Sequence, residues 1–454
     1  MIAEIENLSL TDLDAGIVDA MRPINEENKM SDLAKRFETL SPRQRELLEL
    51  QLSKRGRGPF AAPCAGRAPD EPVSCDNARH NETAAASESL ERGMSEGIQF
   101  SLFFFSDDGS TNAAQKYQLL LETSKFADAH DFTAVWTPEQ HFQDFGGLYP
   151  NPSVLGAALA MVTEKIELRA GSVNLPLHNP IRVAEEWSVV DNLSHGRVAV
   201  SFASGWHPLD FVLRPEGYQK RKELLFQHVR MVEDLWAGRA VALKGVDGRE
   251  VEVKILPKPI QPKLPTWITI RGNPESWIKT GEIGANVLTA VVTQPLDVLA
   301  ANIKLYRESL ADNGHDPSAG RVAVMLHTFL GDDDETVKEQ VRAPLTHYFR
   351  ANIKQLELQK DIFLKALANP ASCEFQDLTE ADLDAVADYV FERYFNTILL
   401  CGTPAKCSQL VDGLMEIGVN EIACLIDFGL PLETVMEGLH CLNILRKHYV
   451  HMAV

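Results

Sequence analysis

From Gly97 onward the chain alternates short apolar segments with longer helical ones, and this alternation restricts the fold more than any other feature. The pattern predicts strands at Ile98–Ser106, Phe132–Thr137, Ile166–Leu175, Arg197–Ala203, Thr266–Ile270, Asn286–Val291, Val322–Leu330 and Glu421–Ile426. Helices are expected at Gln115–Ala129, Pro152–Thr163, Pro180–Leu193, Glu216–Trp236, Pro274–Ile283 and Leu296–Ala311. Eight strands alternating with helices over about 350 residues make a (β/α)8 TIM barrel, not a five- or six-stranded open sheet. Two insertions interrupt the alternation. Residues 239–264 read as a β-hairpin, KGVDGRE then VEVKIL, with a Pro-rich exit. Residues 332–396 read as a long, mostly helical excursion before the last strand. No internal repeat is apparent.

The composition changes near residue 95. Before it, residues 31–54 suggest one or two amphipathic helices, with Ser41-Pro42 as N-cap and first helical residue and Leu47, Leu48, Leu50 and Leu52 on an apolar face. Residues 1–54 are therefore read as a short helical extension able to dock a partner. Residues 55–95 have almost no large apolar side chains and read as a flexible, disordered linker. Residues 96–454 hold the barrel domain.

A net charge of −20 argues against nucleic acid and against an anionic membrane surface, since both would repel the chain. No apolar run approaches the roughly 20 residues of a membrane span. Residues 1–30 show no apolar core of signal-peptide type. Seven Cys, an odd number without a CxxC, point to reduced thiols in a cytoplasmic protein, not to disulfides or zinc.

In a parallel α/β fold, chemistry gathers at the C-terminal ends of the strands. The second strand empties into Glu139, Gln140, His141 and Phe142. His141 can donate a proton or hold an anion near neutral pH, or it can be a hydrogen-bonded structural residue; it is the only imidazole in this loop. The third strand ends in small and polar residues, Gly171 to Asn174, which let a flat ring lie against backbone or simply make a turn. Ser204-Gly205-Trp206 ends the fourth strand, and Trp206 could wall a ring or plug the mouth. Arg271-Gly272-Asn273-Pro274 follows the fifth strand and opens a helix with Ser276 in its first turn. A helix N-terminus beside an Arg is a phosphate site in waiting, although many helices begin this way. No GxGxxG, GxxxxGK[ST], GxSxG or HExxH occurs, and no metal site is expected.

Taken together, these strand ends resemble the bacterial-luciferase-like monooxygenase superfamily from about Gly97 to His448. VWTPEQHFQDFG is similar to the luciferase segment with EHHF. HNPIRVAEEWSVVDNLSHGRVAVSFASGWHPLDF resembles the stretch with LDxxSxGR and a Gly ahead of an acidic-aromatic pair. RGNPESWIKTGEIGANVLT and GTPAKCSQLVDGLMEIGVNEIACLIDFG resemble the fifth-strand phosphate segment and the last helix and strand. FGGLYPNPSV and ASGWHPLDFVLRPEGYQKRK look like the branch found in peptide and polyketide synthases, and LSPRQRELLELQL is similar to short helices flanking carrier and condensation domains.

The resemblance implies reduced FMN at the barrel mouth, supplied by a separate flavin reductase, and transfer of one oxygen atom from O2 to a substrate. It matches His141 to the second His of EHHF. The first, catalytic in luciferase, is Gln140 here, which cannot exchange a proton. With Glu139 these form the expected catalytic loop. Val173 and Asn174 match residues that lie against the flavin. Ser204, beside Gly205 and Trp206, stands where luciferase has a phosphate-binding Arg, a charge Arg271 could replace. Gly272, Asn273 and Ser276 match the remaining phosphate donors. The leading expectation is hydroxylation of, or oxygen insertion into, an acyl or aminoacyl group tethered to a carrier protein or synthase module, by a homodimeric enzyme. The alternatives are a deazaflavin-dependent hydride-transfer oxidoreductase and a non-catalytic assembly module.

Overall fold

The computed structural model describes residues 97–105, 116–143, 147–291, 294–358 and 380–451. The expected extension over 1–54 and linker over 55–95 lie outside the described residues. The strands are β1 (Gln99–Phe103), β2 (Ala134–Thr137), β3 (Glu167–Asn174), β4 (Val198–Ala203), β5 (Val241–Lys244), β6 (Glu250–Val253), β7 (Thr266–Thr269), β8 (Asn286–Ala290), β9 (Val322–Leu330), β10 (Leu400–Gly402) and β11 (Glu421–Leu425). Eight of them close a parallel ring in the order β1-β2-β3-β4-β7-β8-β9-β11, with β11 back against β1. These are the eight strands expected from the sequence. The insertion over 239–264 is the antiparallel hairpin β5–β6. The short β10, which the sequence pattern did not single out, pairs with Thr328–Leu330 at the end of β9.

The helices are α1 (Gln118–Ala129), α2 (Pro152–Ala160), α3 (Pro180–Leu193), α4 (Arg221–Trp236), α5 (Pro274–Glu282), α6 (Leu296–Asp312), α7 (Asp334–Leu358), α8 (Glu380–Phe395), α9 (Pro404–Glu416) and α10 (Leu432–His451). Four of them start with one device. Asn151, Asn179, Asn273 and Thr403 each cap a helix by accepting from a backbone N–H of its first turn, and each is followed by Pro. Among the described residues, no helix is long and apolar enough to cross a membrane.

Side chains alternate along the strands because successive residues point to opposite faces. Leu102, Val135, Leu168, Val200, Ile268 and Val287 join the helix-facing core, while their neighbours Phe103, Trp136, Ala199, Trp267 and Leu288 fill the barrel. Burial on both faces is why these strands read as continuous apolar runs. The interior also holds a buried ion pair. Arg169 Nη1 donates to both oxygens of Glu421 at 3.0 and 2.8 Å, and its guanidinium lies 4.7 Å from the Trp136 ring and 4.9 Å from that of Trp267. Ser101 and Trp136 donate to the same carboxylate. On α7 and α8, Val337, Val341, Tyr348, Phe391 and Phe395 share one apolar cluster with the barrel interior, so the helical insertion packs against the ring. Cys401, Cys407 and Cys424 are buried free thiols, and burial pushes Cys401 and Cys424 up to about 12; they pack as small apolar groups.

Candidate active site

β2, β3, β4 and β7 are consecutive in the ring and parallel, so their C-terminal ends form one arc of the barrel mouth. Every site residue expected from the sequence lies on this arc. Glu139, Gln140 and His141 follow β2. Val173 and Asn174 end β3. Ser204, Gly205 and Trp206 follow β4, and Arg271, Gly272, Asn273 and Ser276 follow β7.

Glu139 is the hub, with only 4 % of its surface exposed. Its Oε1 accepts from His141 Nε2 at 2.8 Å and from His178 Nε2 at 2.5 Å. Its Oε2 accepts from the Asn174 backbone N–H at 2.7 Å, which ties the β2 loop to the end of β3. Burial alone would raise the Glu139 carboxyl, but the hydrogen bonds and charge of the imidazoles prevail and hold it below the ordinary carboxylate value. His178 is held above its ordinary value by Glu139, against the opposing effect of burial. The three side chains place ligand-type atoms within 4.8 Å of one another. The hydrogen bonds on Glu139 Oε1 account for that convergence, and we read the group as an ion cluster.

The β3 end is built for close approach. The ladder to β4 shifts register between Gly171 and Val173, and the Gly171–Ser172 peptide is cis. A Cβ on Gly171 would sit 2.8 Å from the Phe103 ring. Across the arc, Gly205 has φ +71, and a Cβ there would meet the Phe211 ring at 2.9 Å, so glycine is required on both counts. Val173 and Asn174 are buried beside it. The Arg271 guanidinium lies 5.7 Å from the ring of Trp206, linking the β4 and β7 loops.

Asn273 caps α5 through its side chain, and Trp277 Nε1 donates to the Arg271 carbonyl at 2.7 Å, fixing the turn. Ser276 is partly exposed in the first turn. Glu275 beside it is paired with Lys279 at 2.7 Å, which offsets its charge at the helix start. Buried Gln294 aims an unpartnered Oε1 at this turn, 3.6 Å from where a Gly272 Cβ would be.

The sequence reading missed several residues here. His141 is not the only imidazole: His178 from the end of β3 shares its carboxylate, and buried His207 follows Trp206 with its Nε2 unpartnered. Asp210, 1 % exposed, lies beside the His141 backbone N–H, and burial pushes its carboxyl up to about 7. On the far side of the mouth, His327 near the end of β9 is buried with both ring nitrogens unpartnered. It packs 4.6 Å from the Tyr348 ring, and burial pushes its imidazole down to about 3, so it is neutral. Asp427 accepts from Tyr149 Oη at 2.8 Å and from the Phe105 backbone N–H. The only available signal was a polar residue inside an apolar run, as with His327 in VAVMLHTFL.

A cavity of about 450 Å³ opens outside this arc, between the start of α3, Arg214 and α4. His178 is common to its wall and to the Glu139 cluster. Most of the unpartnered buried polar atoms, by contrast, gather at the strand ends.

Among known proteins, the chain is 26% identical over 246 residues to the oxygenase component of a flavin-dependent trigonelline monooxygenase from Acinetobacter baylyi, covering 52% of this chain and 66% of that one. The chain thus spans just under two thirds of that relative. Its fold is similar to the oxygenating constituent of 3,6-diketocamphane monooxygenase from Pseudomonas putida, a type II Baeyer–Villiger enzyme solved with FMN, at TM-score 0.61 and 19% identity over 79% of this chain and 99% of that one. An F420-dependent secondary alcohol dehydrogenase shares the fold at TM-score 0.57 and 17% identity, over 79% and 99% of the two chains. Residues 98–421 match the family described as luciferase-like monooxygenase, and the chain belongs to that family of flavin-dependent monooxygenases.

Proposed function

We propose that this enzyme uses FMNH2 and O2 to oxygenate an acyl or aminoacyl group carried on a carrier protein in natural-product biosynthesis. The observation that carries the flavin assignment is the single arc of strand ends, which joins the buried ends of β2, β3 and β4 to a capped helix start beside Arg271. The residues fit the group. Unpartnered buried polar atoms of Gln140 and Gln294 lie at the two ends of the arc. Val173, Asn174 and Gly205 would receive the ring, Trp206 would wall it, and Ser204, Arg271, Gly272, Asn273 and Ser276 would hold the phosphate. Bound reduced FMN supplies the electron pair that reduces O2, one oxygen atom going to substrate and the other to water.

The chain's own residues orient and move protons. Glu139 fixes the His141 ring through Nε2. That leaves Nδ1 to give a proton to the developing oxyanion of the substrate. Gln140 Nε2, buried without a partner, can donate to a substrate carbonyl. A separate reductase delivers the flavin, a reading supported by the name of the Acinetobacter relative, an oxygenase component. A second copy of the chain is a further partner, for which exposed Val154, Val189, Leu193 and Leu256 offer an apolar face.

The carrier-linked assignment rests on the sequence resemblance. The test is mass spectrometry of acyl- and aminoacyl-loaded carrier proteins after incubation with enzyme, FMN, a flavin reductase and O2. The expected product is the loaded carrier with one oxygen atom added. Oxygen uptake independent of the carrier, or turnover with reduced deazaflavin but not FMNH2, would refute the reading.

A further inference from the structure

The cavity of about 450 Å³ outside the arc has the size of a small-ligand pocket, ~300–1,000 Å³. Its walls are mostly apolar, with Leu177, Ile181, Leu213, Met231 and Leu243, the last on the β5–β6 hairpin. A few polar side chains interrupt them. His228 on α4 is 8 % exposed, and its Nδ1 is buried without a hydrogen-bond partner. Burial holds this imidazole below its ordinary value, so it is neutral and offers one donor and one acceptor. Arg214 donates from Nη1 to the His178 carbonyl at 3.0 Å, and its Nε lies 3.3 Å from Glu216, which stands in the same wall and offsets its charge. His178 also lines the cavity with a side chain one-third exposed, while its Nε2 holds Glu139 Oε1 at 2.5 Å. An occupant of the cavity is therefore one imidazole ring away from the Glu139 cluster.

These walls select their ligand. A phosphate or carboxylate would meet Glu216 together with Arg214, so an anion gains little there. A flexible apolar chain broken by amides fits better. Its carbonyls accept from Arg214, its N–H groups pair with the His228 imidazole, and its methyl groups lie on the aliphatic walls. The pantetheine arm of a carrier protein has that make-up, with amides, a hydroxyl and a dimethyl-bearing carbon along one chain. We propose that this cavity seats the pantetheine arm that carries the substrate, held between Arg214, His228 and the hairpin residue Leu243, with its acyl end brought past His178 to the Glu139 cluster. The inference deepens the carrier-linked reading and rests on it. It also gives the β5–β6 insertion a task, since Leu243 is the hairpin's contribution to the wall.

The probe is pantetheine blocked at sulfur as its methyl thioether, added to the full chain carrying isotope-labelled histidine. It should move the NMR signals of the His228 and His178 rings. Met231→Trp on α4 and Leu243→Trp on the hairpin each fill the cavity from outside the flavin arc, and either one serves if the other does not fold. Each should weaken the probe by about tenfold or more and leave FMN affinity unchanged. In turnover, the same variants should raise KM for an acyl-pantetheine by a similar factor with kcat unchanged, because the contact is made equally before and during reaction. KM for the same acyl group on N-acetylcysteamine, which keeps the thioester and lacks the outer arm, should not move. A probe that leaves both ring signals in place overturns the proposal, as does its displacement by inorganic phosphate, which would mark an anion site. Equal losses for the two thioesters, the result of a merely structural role, overturn it too. Probe binding that passes these tests while no loaded carrier gains oxygen would sink the oxygenation reading and keep the arm site.

Discussion

Glu139 and His178 stand 39 residues apart in the chain, yet the His178 Nε2 donates to Glu139 Oε1 across 2.5 Å. The bond joins the loop after β2 to the turn after β3 and makes a shared carboxylate the fixed point of the site. It also gives the site a pH signature. The Glu139 carboxyl lies below its ordinary 4.5, so its contribution to stability is present above that value and is lost as pH falls through the lower folded-state value. The His178 imidazole lies above its ordinary 6.5, so its contribution is complete below that value and is lost as pH rises through the higher folded-state value.

The pair should therefore stabilise the fold most between 4.5 and 6.5. Replacing Glu139 by Gln removes the charge and turns an amide NH2 toward either the imidazoles or the Asn174 N–H, all of them donors to the carboxylate, at a cost of about 1–3 kcal/mol. Melting temperatures of wild type and Glu139→Gln across pH should differ most inside that window and converge on both sides. A gap that is constant with pH would contradict the assignment.

The Arg169–Glu421 pair makes a different prediction, because both side chains are sealed inside the barrel at 1% and 0% exposure. Glu421→Gln leaves the buried guanidinium with only the half-exposed Glu167 as countercharge, 2.8 Å away, and should lose about 3 kcal/mol. Removing both charges with Arg169→Met and Glu421→Leu should recover much of the loss, since well-packed apolar residues often match a buried ion pair. Urea denaturation of the single and double variants gives the comparison. A double variant no more stable than the single would show that the pair itself, not the orphaned charge, matters.

Gly171 should resist even a methyl group. A Cβ there would lie 2.8 Å from Phe103 Cε2 and 3.1 Å from Trp136 Cε3, and both rings are locked in the barrel core. Gly171→Ala is expected to destabilise by about 1–3 kcal/mol through overpacking. Because the same backbone leads to Val173 and Asn174, flavin affinity should fall with it. A variant with wild-type stability and wild-type flavin binding would mean that the rings give way freely.

The eight barrel strands were legible because a parallel strand covered on both faces must be apolar throughout, and their ends because polar residues resume there. The Asn-Pro pairs at 151, 179 and 273 marked helix starts for a local reason, the cap and the fixed proline φ. His178 and Asp210 were not legible as site residues. In HNP and HPLDF each looks like an ordinary turn residue, and only ring closure puts His178 against Glu139 and encloses the Asp210 carboxyl. Burial of a single polar side chain depends on neighbours remote in sequence, and no periodicity encodes it. The boundaries moved for similar reasons: Pro152 starts α2 as expected, but the helix ends at Ala160, three residues before Thr163, whose hydroxyl donates back to the Leu159 carbonyl.

The flavin assignment makes its sharpest prediction at Arg271. Its side chain is at the rim of the mouth, over Trp206, and its backbone enters the capped start of α5. An Arg in that place meets a phosphate with a charge-assisted, often bidentate contact, to which the helix start adds backbone donors. Riboflavin has the same ring and no phosphate. If Arg271 serves the phosphate, Arg271→Ala should weaken FMN by about tenfold or more, in line with roughly 1.5–3 kcal/mol for a hydrogen bond to a charged group, and leave riboflavin nearly unchanged. If Arg271 instead only props Trp206 against the ring, both flavins should weaken together, by the smaller amount expected of a partly exposed cation–π contact. Fluorescence titrations of the two flavins against wild type and Arg271→Ala separate these cases. Raising the salt concentration should narrow the FMN difference alone, because only the phosphate contact is screened. Equal losses for FMN and riboflavin would move the phosphate away from the β7 end of the arc.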